Sequence, residues 1–237
     1  MNKQALRERV WDDLEESGEA RFPFPPHGRI PNFAGAGAAA ERLADLPEWT
    51  AAATVKANPD APQLPVRRRA LHAGKTLYMA VPRLRDERCF YRLDPATLAD
   101  LDAAPTVSNV DSHAEQVRPG ALDRVDVVLV GSVAVTTDGA RVGKGEGYSD
   151  IEFALLAERG LVDAETTVVT TVHERQVVDE SVGVDPHDVP LDVVVTPDRV
   201  VRTETPYDRP SGIDATLLDD ERVAEIPVLD GRGARDR

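Results

Sequence analysis

The sequence has a single cysteine, Cys89, among its 237 residues. One cysteine excludes an intramolecular disulfide and any zinc site built from several thiolates. Cys89 stands beside Phe90 and Tyr91, a setting more typical of a small buried side chain than of a nucleophile. We therefore expect a reducing compartment and a cytoplasmic location.

Long hydrophobic runs are also lacking. No apolar stretch approaches the roughly 20 residues that a membrane helix needs. The first segment, residues 1–16, is charged and amphipathic and has no apolar stretch like that of a secretory signal. We therefore expect neither export nor a membrane partner.

Positive charge is scarce, because 42 acidic residues oppose 28 basic ones and the formal net charge is −14. Such a surface repels phosphate backbones and disfavours broad nucleic-acid binding, while a local basic pocket remains compatible with it. Only four of the basic residues are lysines. Many carboxylates with few lysines favour a halophilic protein, in which salt screens self-repulsion; an ordinary acidic protein is the alternative.

The apolar patterns predict one α/β domain. A helix is predicted at 3–16, and further along the chain strands alternate with helices. The most apolar segment, 125–135, is typical of a central strand buried on both faces. This order predicts a mainly parallel sheet flanked by helices, over residues 1–230, with a disordered tail at 231–237.

Residues 22–37 contain four prolines and three glycines, which disfavour regular structure. The aromatic residues in the same stretch are too apolar for a free linker, so we predict an ordered loop that packs on the domain. The sequence leaves open whether this loop closes over a ligand as a lid.

The strongest local signal is the glycine-rich stretch 141–150, RVGKGEGYSD. Gly143, Gly145 and Gly147 alternate with charged residues, and a helix is predicted from about Ser149. Alternating glycines let backbone amides approach an anion closely, and a helix N-terminus adds partial positive charge. The stretch is therefore a candidate phosphate cradle, although it matches neither standard nucleotide motif and could be a mere connector.

Two acidic residues are candidate Mg²⁺ ligands. Asp150 directly follows the glycine-rich stretch, and Asp188 lies in a loop before a predicted strand. The alternatives are helix capping for Asp150 and turn formation for Asp188. His173 and His187 do not establish a metal site by their spacing.

Three blocks in order resemble the 5-formyltetrahydrofolate cyclo-ligase (methenyltetrahydrofolate synthetase) family. Lys3-x-x-x-Arg7 lies on the first helix, RVGKGEGYSD is similar to the family's GYYD loop, and HDVPLDVVVTP is similar to its final aspartate-strand motif. The resemblance covers about residues 3–200 and is nearest to the methenyltetrahydrofolate-synthase-domain-containing branch. It implies a NagB/RpiA-like fold.

The resemblance also implies an activity, the ATP- and Mg²⁺-dependent cyclisation of 5-formyltetrahydrofolate to 5,10-methenyltetrahydrofolate through phosphorylation of the formyl oxygen. Its implied partner is thus a reduced folate or pterin. The residues carried over fall into four groups. The catalytic residues are Arg141, Lys144 and Tyr148; the ATP-binding residues are Lys3, Arg7, Arg141, Gly143, Lys144, Gly145, Glu146, Gly147, Tyr148 and Ser149; the substrate residues are Val55, Asp60, Lys144 and Tyr148; the metal ligands are Asp150 and Asp188.

Three positions depart from the family pattern on the substrate side. Asp60 stands where the family commonly has glutamate, Gln63 where it has threonine, and Ser149 where it has the second tyrosine of GYYD. These departures leave open a non-catalytic regulatory protein that binds a nucleotide or folate with the same fold. A separate alternative is a kinase or phosphatase that uses the same glycine-rich stretch on another small molecule. The sequence does not predict an oligomeric state.

Overall fold

The structure is a computed structural model, and it describes residues 2–229. The predicted tail, 231–237, lies outside the described residues. The helices of the described part are α1 (Lys3–Glu16), α2 (Ala36–Ala44), α3 (Pro47–Ala51), α4 (Leu64–His72), α5 (Val110–His113), α6 (Tyr148–Ala157) and α7 (Asp220–Glu225). The strands are β1 (Ala20–Arg21), β2 (Asn32–Phe33), β3 (Thr54–Ala57), β4 (Thr76–Ala80), β5 (Phe90–Leu93), β6 (Glu115–Val117), β7 (Val127–Leu129), β8 (Ala134–Val135), β9 (Arg141–Val142), β10 (Thr167–Thr171), β11 (Val193–Val195) and β12 (Val200–Arg202).

Within residues 2–229 the main sheet has eight strands, in the order β12-β11-β10-β7-β3-β4-β5-β6. The five strands from β11 to β4 run parallel, and the strands at both edges run antiparallel. β3 and β7 are buried along their whole length, as expected for central strands covered on both faces. The predicted α/β class, with a mainly parallel sheet flanked by helices, is confirmed.

The two faces of the sheet are covered by different helices. Apolar residues of α2 and α4 pack on one face, and those of α6 and of the C-terminal segment pack on the other. A third apolar cluster joins α1 to the hairpin of β8 and β9, through Leu6, Trp11 and Val142 among others. This last contact brings the first helix of the chain close to the residues that follow β9.

The chain changes direction across the sheet between β3 and β7. From β3 it continues to β4 on one side, and it later returns to place β7 on the other side of β3. Ligands of open α/β sheets bind outside the carboxyl ends of the strands at such a switch point. Here those ends are Asn58 and Gly131, and the Gly131 amide donates a hydrogen bond to Asn58 Oδ1 at 3.1 Å.

Several sequence predictions of elements require correction. The single strand predicted at 125–135 is two short strands, because the chain turns away from the main sheet at Gly131. The sequence also predicts a helix at 215–226, but the structure has a regular helix only from Asp220, where the Asp219 carboxylate caps it by accepting from the Arg222 amide. The antiparallel strands β5 and β6 were not predicted.

The proline-rich loop, 22–37, is only partly packed on the domain. Ile30 and Phe33 are buried, whereas Phe22 and Phe24 are exposed. The backbone carbonyl of Arg29 accepts a hydrogen bond from the Trp11 indole at 3.0 Å, which ties the loop to α1. In the part of the chain that the structure describes, no helix combines the length and the apolar character needed to cross a membrane.

We predict that Gly131→Ala destabilises the protein by about 1–3 kcal/mol, the usual range for overpacking. A Cβ at this position would lie 2.8 Å from Asp60 Oδ2 and 2.9 Å from Ile30 Cγ1. The free energy of unfolding, measured with a chemical denaturant, tests this. Gly37→Ala is the matched control, because Gly37 lies within α2 with open space around it. It should stabilise the helix by about 1 kcal/mol, and equal effects of the two substitutions would contradict the packing argument.

Candidate active site at the switch point of the sheet

A cavity of about 340 Å³ lies at the switch point, and we call it the first cavity. Its walls come from the carboxyl ends of β3, β4 and β7, from the stretch after β9 and from the start of α6. The lining residues are Ile30, Asn58, Pro59, Asp60, Ala80, Val81, Pro82, Arg83, Gly131, Arg141, Gly143, Lys144, Glu146, Gly147, Tyr148, Ser149, Asp150 and Glu152.

Residues 143–147, which we call the glycine loop, connect β9 to α6. Gly145 and Gly147 have φ angles of +108° and +71°, conformations that residues with a Cβ rarely adopt. Gly147 is also the N-cap of α6, so the helix begins directly at Tyr148 rather than near Ser149. The loop therefore follows a path that needs glycine and ends at a helix N-terminus, as an anion cradle requires.

Two basic side chains from the first helix reach this region. Arg7 Nε donates to the Gly143 carbonyl at 2.7 Å, and the Arg7 guanidinium carbon lies 3.5 Å from the place where a Cβ on Gly145 would be. Lys3 Nζ lies 2.6 Å from Asp188 Oδ2 and 3.0 Å from Asp185 Oδ2. Burial alone lowers the Lys3 pKa, but the hydrogen bonds to these two carboxylates raise it overall, so the ammonium stays charged.

Arg141 and Asp150 form a buried ion pair in the lining of the first cavity. Arg141 Nη1 also donates to the Gly131 carbonyl at 3.0 Å, while its buried Nε has no hydrogen-bond partner within the described residues. The Asp150 carboxylate accepts from the Val189 amide at 3.1 Å. This bond places the loop that carries Asp188 beside the start of α6.

Lys144 and Tyr148 are more accessible. The Lys144 ammonium pairs with Glu146 at 2.7 Å, and both side chains are more than a third exposed. The Tyr148 hydroxyl donates to Glu225 Oε2 at 3.3 Å, and the Arg222 guanidinium lies 4.5 Å from the centre of its ring. Lys144 and Tyr148 both line the first cavity, so either can contact a molecule bound there.

The predicted substrate residues occupy different places. Asp60 lines the first cavity, and burial raises the pKa of its carboxyl although the charges of Lys144 and Arg67 oppose that shift. Val55 is fully buried in the apolar cluster under α2 and α4, so the structure does not bring it to the cavity. Its side chain points to the face of the sheet opposite α6, because successive residues of a strand point to opposite faces.

A match to known families decides the assignment of the chain. The model of the 5-formyltetrahydrofolate cyclo-ligase family matches residues 1–197. The chain belongs to this family.

The relatives of this chain include the methenyltetrahydrofolate synthase domain-containing proteins of Mus musculus and Homo sapiens. They are 42% and 39% identical to it over its whole length, which corresponds to 64% and 63% of theirs. The chain thus spans less than two thirds of these relatives. Among solved structures, 5,10-methenyltetrahydrofolate synthetase of Aquifex aeolicus shares the fold, with a TM-score of 0.54 and 22% identity over 88% of this chain and 96% of that one.

Sequence reasoning missed a buried polar network beneath the first cavity. Lys56 and Glu152 form an ion pair with almost no exposure, and Asn58 Nδ2 donates to the same Glu152 oxygen at 3.1 Å. Ser149 Oγ donates to Asn58 Oδ1 at 3.1 Å and so joins α6 to the network. Lys56 lies inside β3 and was the available signal, because a charge buried in a strand requires a partner.

Arg83 and Gln63 each have an unusual feature. Arg83 lines the first cavity and has a φ of +59°, an unusual conformation for a residue other than glycine. Gln63, noted above as a departure from the family pattern, is fully buried and lies outside the first cavity lining. Both of its amide atoms are without hydrogen-bond partners within residues 2–229.

We predict that Lys56→Met destabilises the protein by about 3–5 kcal/mol, because it leaves the buried Glu152 carboxylate without its counter-charge. The double substitution Lys56→Met/Glu152→Leu should recover part of this loss, since it removes both buried charges but leaves Asn58 Nδ2 without the Glu152 oxygen to which it donates. Denaturant unfolding measures both. Arg124→Met breaks an exposed ion pair with Asp163 and is the control, with an expected loss below about 1 kcal/mol. A loss of that small size for Lys56→Met would contradict the buried-pair argument.

A second prediction concerns pH. Because burial raises the pKa of Asp60 in the folded protein, the unfolded chain releases this proton first as the pH rises. The carboxyl therefore destabilises the fold progressively from about pH 4 upward until its folded pKa is passed. Asp60→Asn should thus be more stable than the parent chain, by a margin that grows with pH in this window.

Unfolding free energies measured at about pH 4 and about pH 7 test the sign. Asp163→Asn is the control with the opposite sign, because a hydrogen bond from Arg124 lowers the pKa of Asp163. A margin for Asp60→Asn that shrinks as the pH rises would contradict the assigned direction.

Proposed function

We propose that the chain catalyses the ATP- and Mg²⁺-dependent cyclisation of 5-formyltetrahydrofolate to 5,10-methenyltetrahydrofolate. The observation that carries this proposal is the meeting of three distant segments around the glycine loop and the start of α6. Arg7 of α1 contacts the glycine loop, Lys3 contacts Asp188, and the loop that carries Asp188 contacts Asp150. Family membership supports the reaction, and this convergence of basic and acidic groups supports the proposal that a triphosphate and its metal ion bind here.

The groups around the glycine loop suit a triphosphate. Lys3, Arg7 and Lys144 bring three positive charges to a protein whose net charge is −14. A Cβ on Gly143 would lie 3.0 Å from Arg141 Nη1, so glycine keeps the backbone open beside that guanidinium. The unpartnered Nε of Arg141 is a further buried donor in the same wall.

Carboxylates for Mg²⁺ are present next to these cations. Asp150 and Asp188 would hold the ion, and oxygen donors of this kind suit a hard divalent cation. Each carboxylate is paired with a positively charged group, Asp150 with Arg141 and Asp188 with Lys3. When bound, Mg²⁺ would neutralise phosphate charge during transfer of the γ-phosphoryl group.

The proposed chemistry has two steps, and the protein contributes alignment and charge to both. The formyl oxygen of the substrate forms a bond to the γ-phosphorus, and the bond to the ADP oxygen breaks. N10 of the folate then forms a bond to the formyl carbon, the bond between that carbon and the phosphate oxygen breaks, and the N10 proton leaves with the released phosphate. Phosphoryl transfer needs positive charge and in-line positioning more than covalent help. Lys144 and Arg141 would provide this charge and positioning. Tyr148 would orient the pterin in the first cavity, opposite Asp60.

The alternative is a protein that binds nucleotide or folate without turnover. Two observations favour this non-catalytic alternative. The hydroxyl of Ser149, at the position of a family tyrosine, donates a hydrogen bond to Asn58, and Arg141 and Asp150 form an ion pair with each other. Calorimetry separates the possibilities, because binding of ATP without formation of the methenyl product is expected only for the regulatory protein.

We predict that Lys144→Ala lowers kcat/KM for cyclisation by about 100-fold or more, the usual cost of removing one charge-stabilising group from a transition state. The assay follows the absorbance of the methenyl product from 5-formyltetrahydrofolate, ATP and Mg²⁺, at low and at high salt. Omission of ATP, or chelation of Mg²⁺, should abolish product formation.

Arg124→Ala is the control, because it removes an exposed basic residue that pairs with Asp163 and Glu165 and does not line the first cavity. It should retain the parent activity. Full activity of Lys144→Ala would contradict the site, and absence of product from the parent chain under both salt conditions would contradict the activity.

A further inference from the structure

A cavity of about 470 Å³ lies at the amino ends of β3 and β4, and we call it the basic cavity. It is formed by the ends of α2 and α4, by α3 and by the turn that leads into β4. The first cavity lies at the carboxyl ends of the same strands. Because β4 is five residues long, the two cavities are separated by roughly 16 Å of strand.

The charged side chains that line the basic cavity all have the same sign. They are Arg69, His72 and Lys75, and no acidic residue within residues 2–229 joins them in the lining. The chain as a whole has 42 acidic residues and 28 basic ones, so such a local excess of basic groups is unusual for it. A concave surface lined by one sign of charge concentrates ions of the opposite sign. The ligand that this cavity suits is therefore an anion.

Lys75 is the buried member of this set, since only 6% of its surface is exposed. Its ammonium donates to the Ala52 carbonyl at 2.6 Å and lies 5.5 Å from the centre of the Trp49 ring. Neither contact supplies a negative charge, and in the described part of the chain the ammonium has no carboxylate within ion-pair distance. An ammonium has three donors, and buried charges in proteins are normally paired. Lys75 is thus a buried cation that lacks a counter-ion.

Asp126 is the acidic residue whose charge acts on Lys75, but its carboxylate is bound elsewhere. Burial lowers the pKa of Lys75, and the charge of Asp126 opposes this shift without cancelling it. Asp126 Oδ2 accepts from the amides of Ala53 and Thr54 at 2.8 Å and 3.0 Å, so it serves the start of β3. An anion in the basic cavity would supply the negative charge that Asp126 does not.

Arg69 and His72 have acidic partners that do not line the cavity. Arg69 Nη2 donates to Glu41 Oε1 at 2.7 Å, and His72 Nε2 lies 3.1 Å from Asp102 Oδ1. All four side chains are more than a third exposed, and exposed pairs of this kind contribute little to stability. A ligand anion could therefore replace Glu41 and Asp102 as the partner of these two basic groups.

Among anions, a phosphate group suits this lining best. It carries nearly two negative charges at neutral pH and offers several acceptor oxygens. Arginine and lysine are the side chains that commonly bind it, the first through its planar fork and the second as a point charge. A single carboxylate would compensate less of the positive charge of the three basic residues.

We propose that the basic cavity binds a phosphate group, as a site separate from the first cavity. Lys75 is its buried anchor, Arg69 and His72 supply the exposed donors, and Trp49 forms the wall beside the ammonium. This site goes beyond the proposed function and does not depend on it, because it shares no lining residue with the first cavity.

The test titrates the protein with inorganic phosphate at constant ionic strength and follows its two tryptophan indole N–H signals by NMR. Trp49 lines the basic cavity. Trp11 packs with Val142, directly before the glycine loop, so it reports on binding at the proposed triphosphate site. We expect the Trp49 signal to shift with phosphate concentration until it saturates, which gives the Kd of the basic cavity.

Arg69→Gln should raise this Kd about tenfold, the size expected when one charge-assisted hydrogen bond is lost. Arg68→Gln is the matched control, because Arg68 is the preceding residue of α4, has a similarly exposed side chain, 42% against 38%, and does not line the cavity. Both variants lose one positive charge, so only the local contact differs. Lys75→Gln keeps a donor for the Ala52 carbonyl and should weaken binding more than Arg69→Gln does.

A Trp49 signal that does not move in the parent chain would overturn the inference, and so would equal Kd values for Arg69→Gln and Arg68→Gln. Both results would leave the proposed function intact. Lys144→Ala separates the two sites, because it removes a cation of the first cavity and should leave the phosphate response of Trp49 unchanged. Loss of the Trp49 response in that variant would mean that phosphate acts through the glycine loop, and it would overturn the inference as well.

Discussion

The side chain of Asn58 holds together the three parts of the fold that form the site. Its carbonyl oxygen accepts from the Gly131 amide and from the Ser149 hydroxyl, and its amino group donates to Glu152. One amide therefore fixes the ends of two adjacent parallel strands and the start of α6 relative to one another. The glycine loop leads into that same helix, so its position depends on this contact.

Below Asn58 the network ends in a buried ion pair, and this imposes a constraint on the whole centre of the domain. The Lys56 ammonium and the Glu152 carboxylate are almost without exposure. Neither charge is tolerable alone in such surroundings, so strand β3 and helix α6 can pack only in the register that brings them together. The buried polar network beneath the first cavity is therefore part of the core of the domain.

The sequence allowed prediction of the elements whose signals are local. The period of Leu6, Val10 and Leu14 defines the first helix within its true bounds, and the β-branched residues mark the parallel strands. The glycine loop was recognisable for the same reason, since its alternating glycines precede a helix directly. Strands β5 and β6 were missed because they are short antiparallel additions at an edge, and each contains a charged residue, Arg92 in β5 and Glu115 in β6.

The rest of the site depends on contacts between residues far apart in the chain, which no local pattern encodes. Nothing in NPD at 58–60 indicates that the asparagine bridges to residues 131, 149 and 152. Val55 was assigned to the substrate by motif position, yet the alternation of side chains along β3 sends it to the opposite face of the sheet. A residue assigned by its place in a motif keeps its order in the chain. Whether its side chain reaches a binding site depends on the direction in which it points, and that direction follows from the strand register and from the helix that packs on each face.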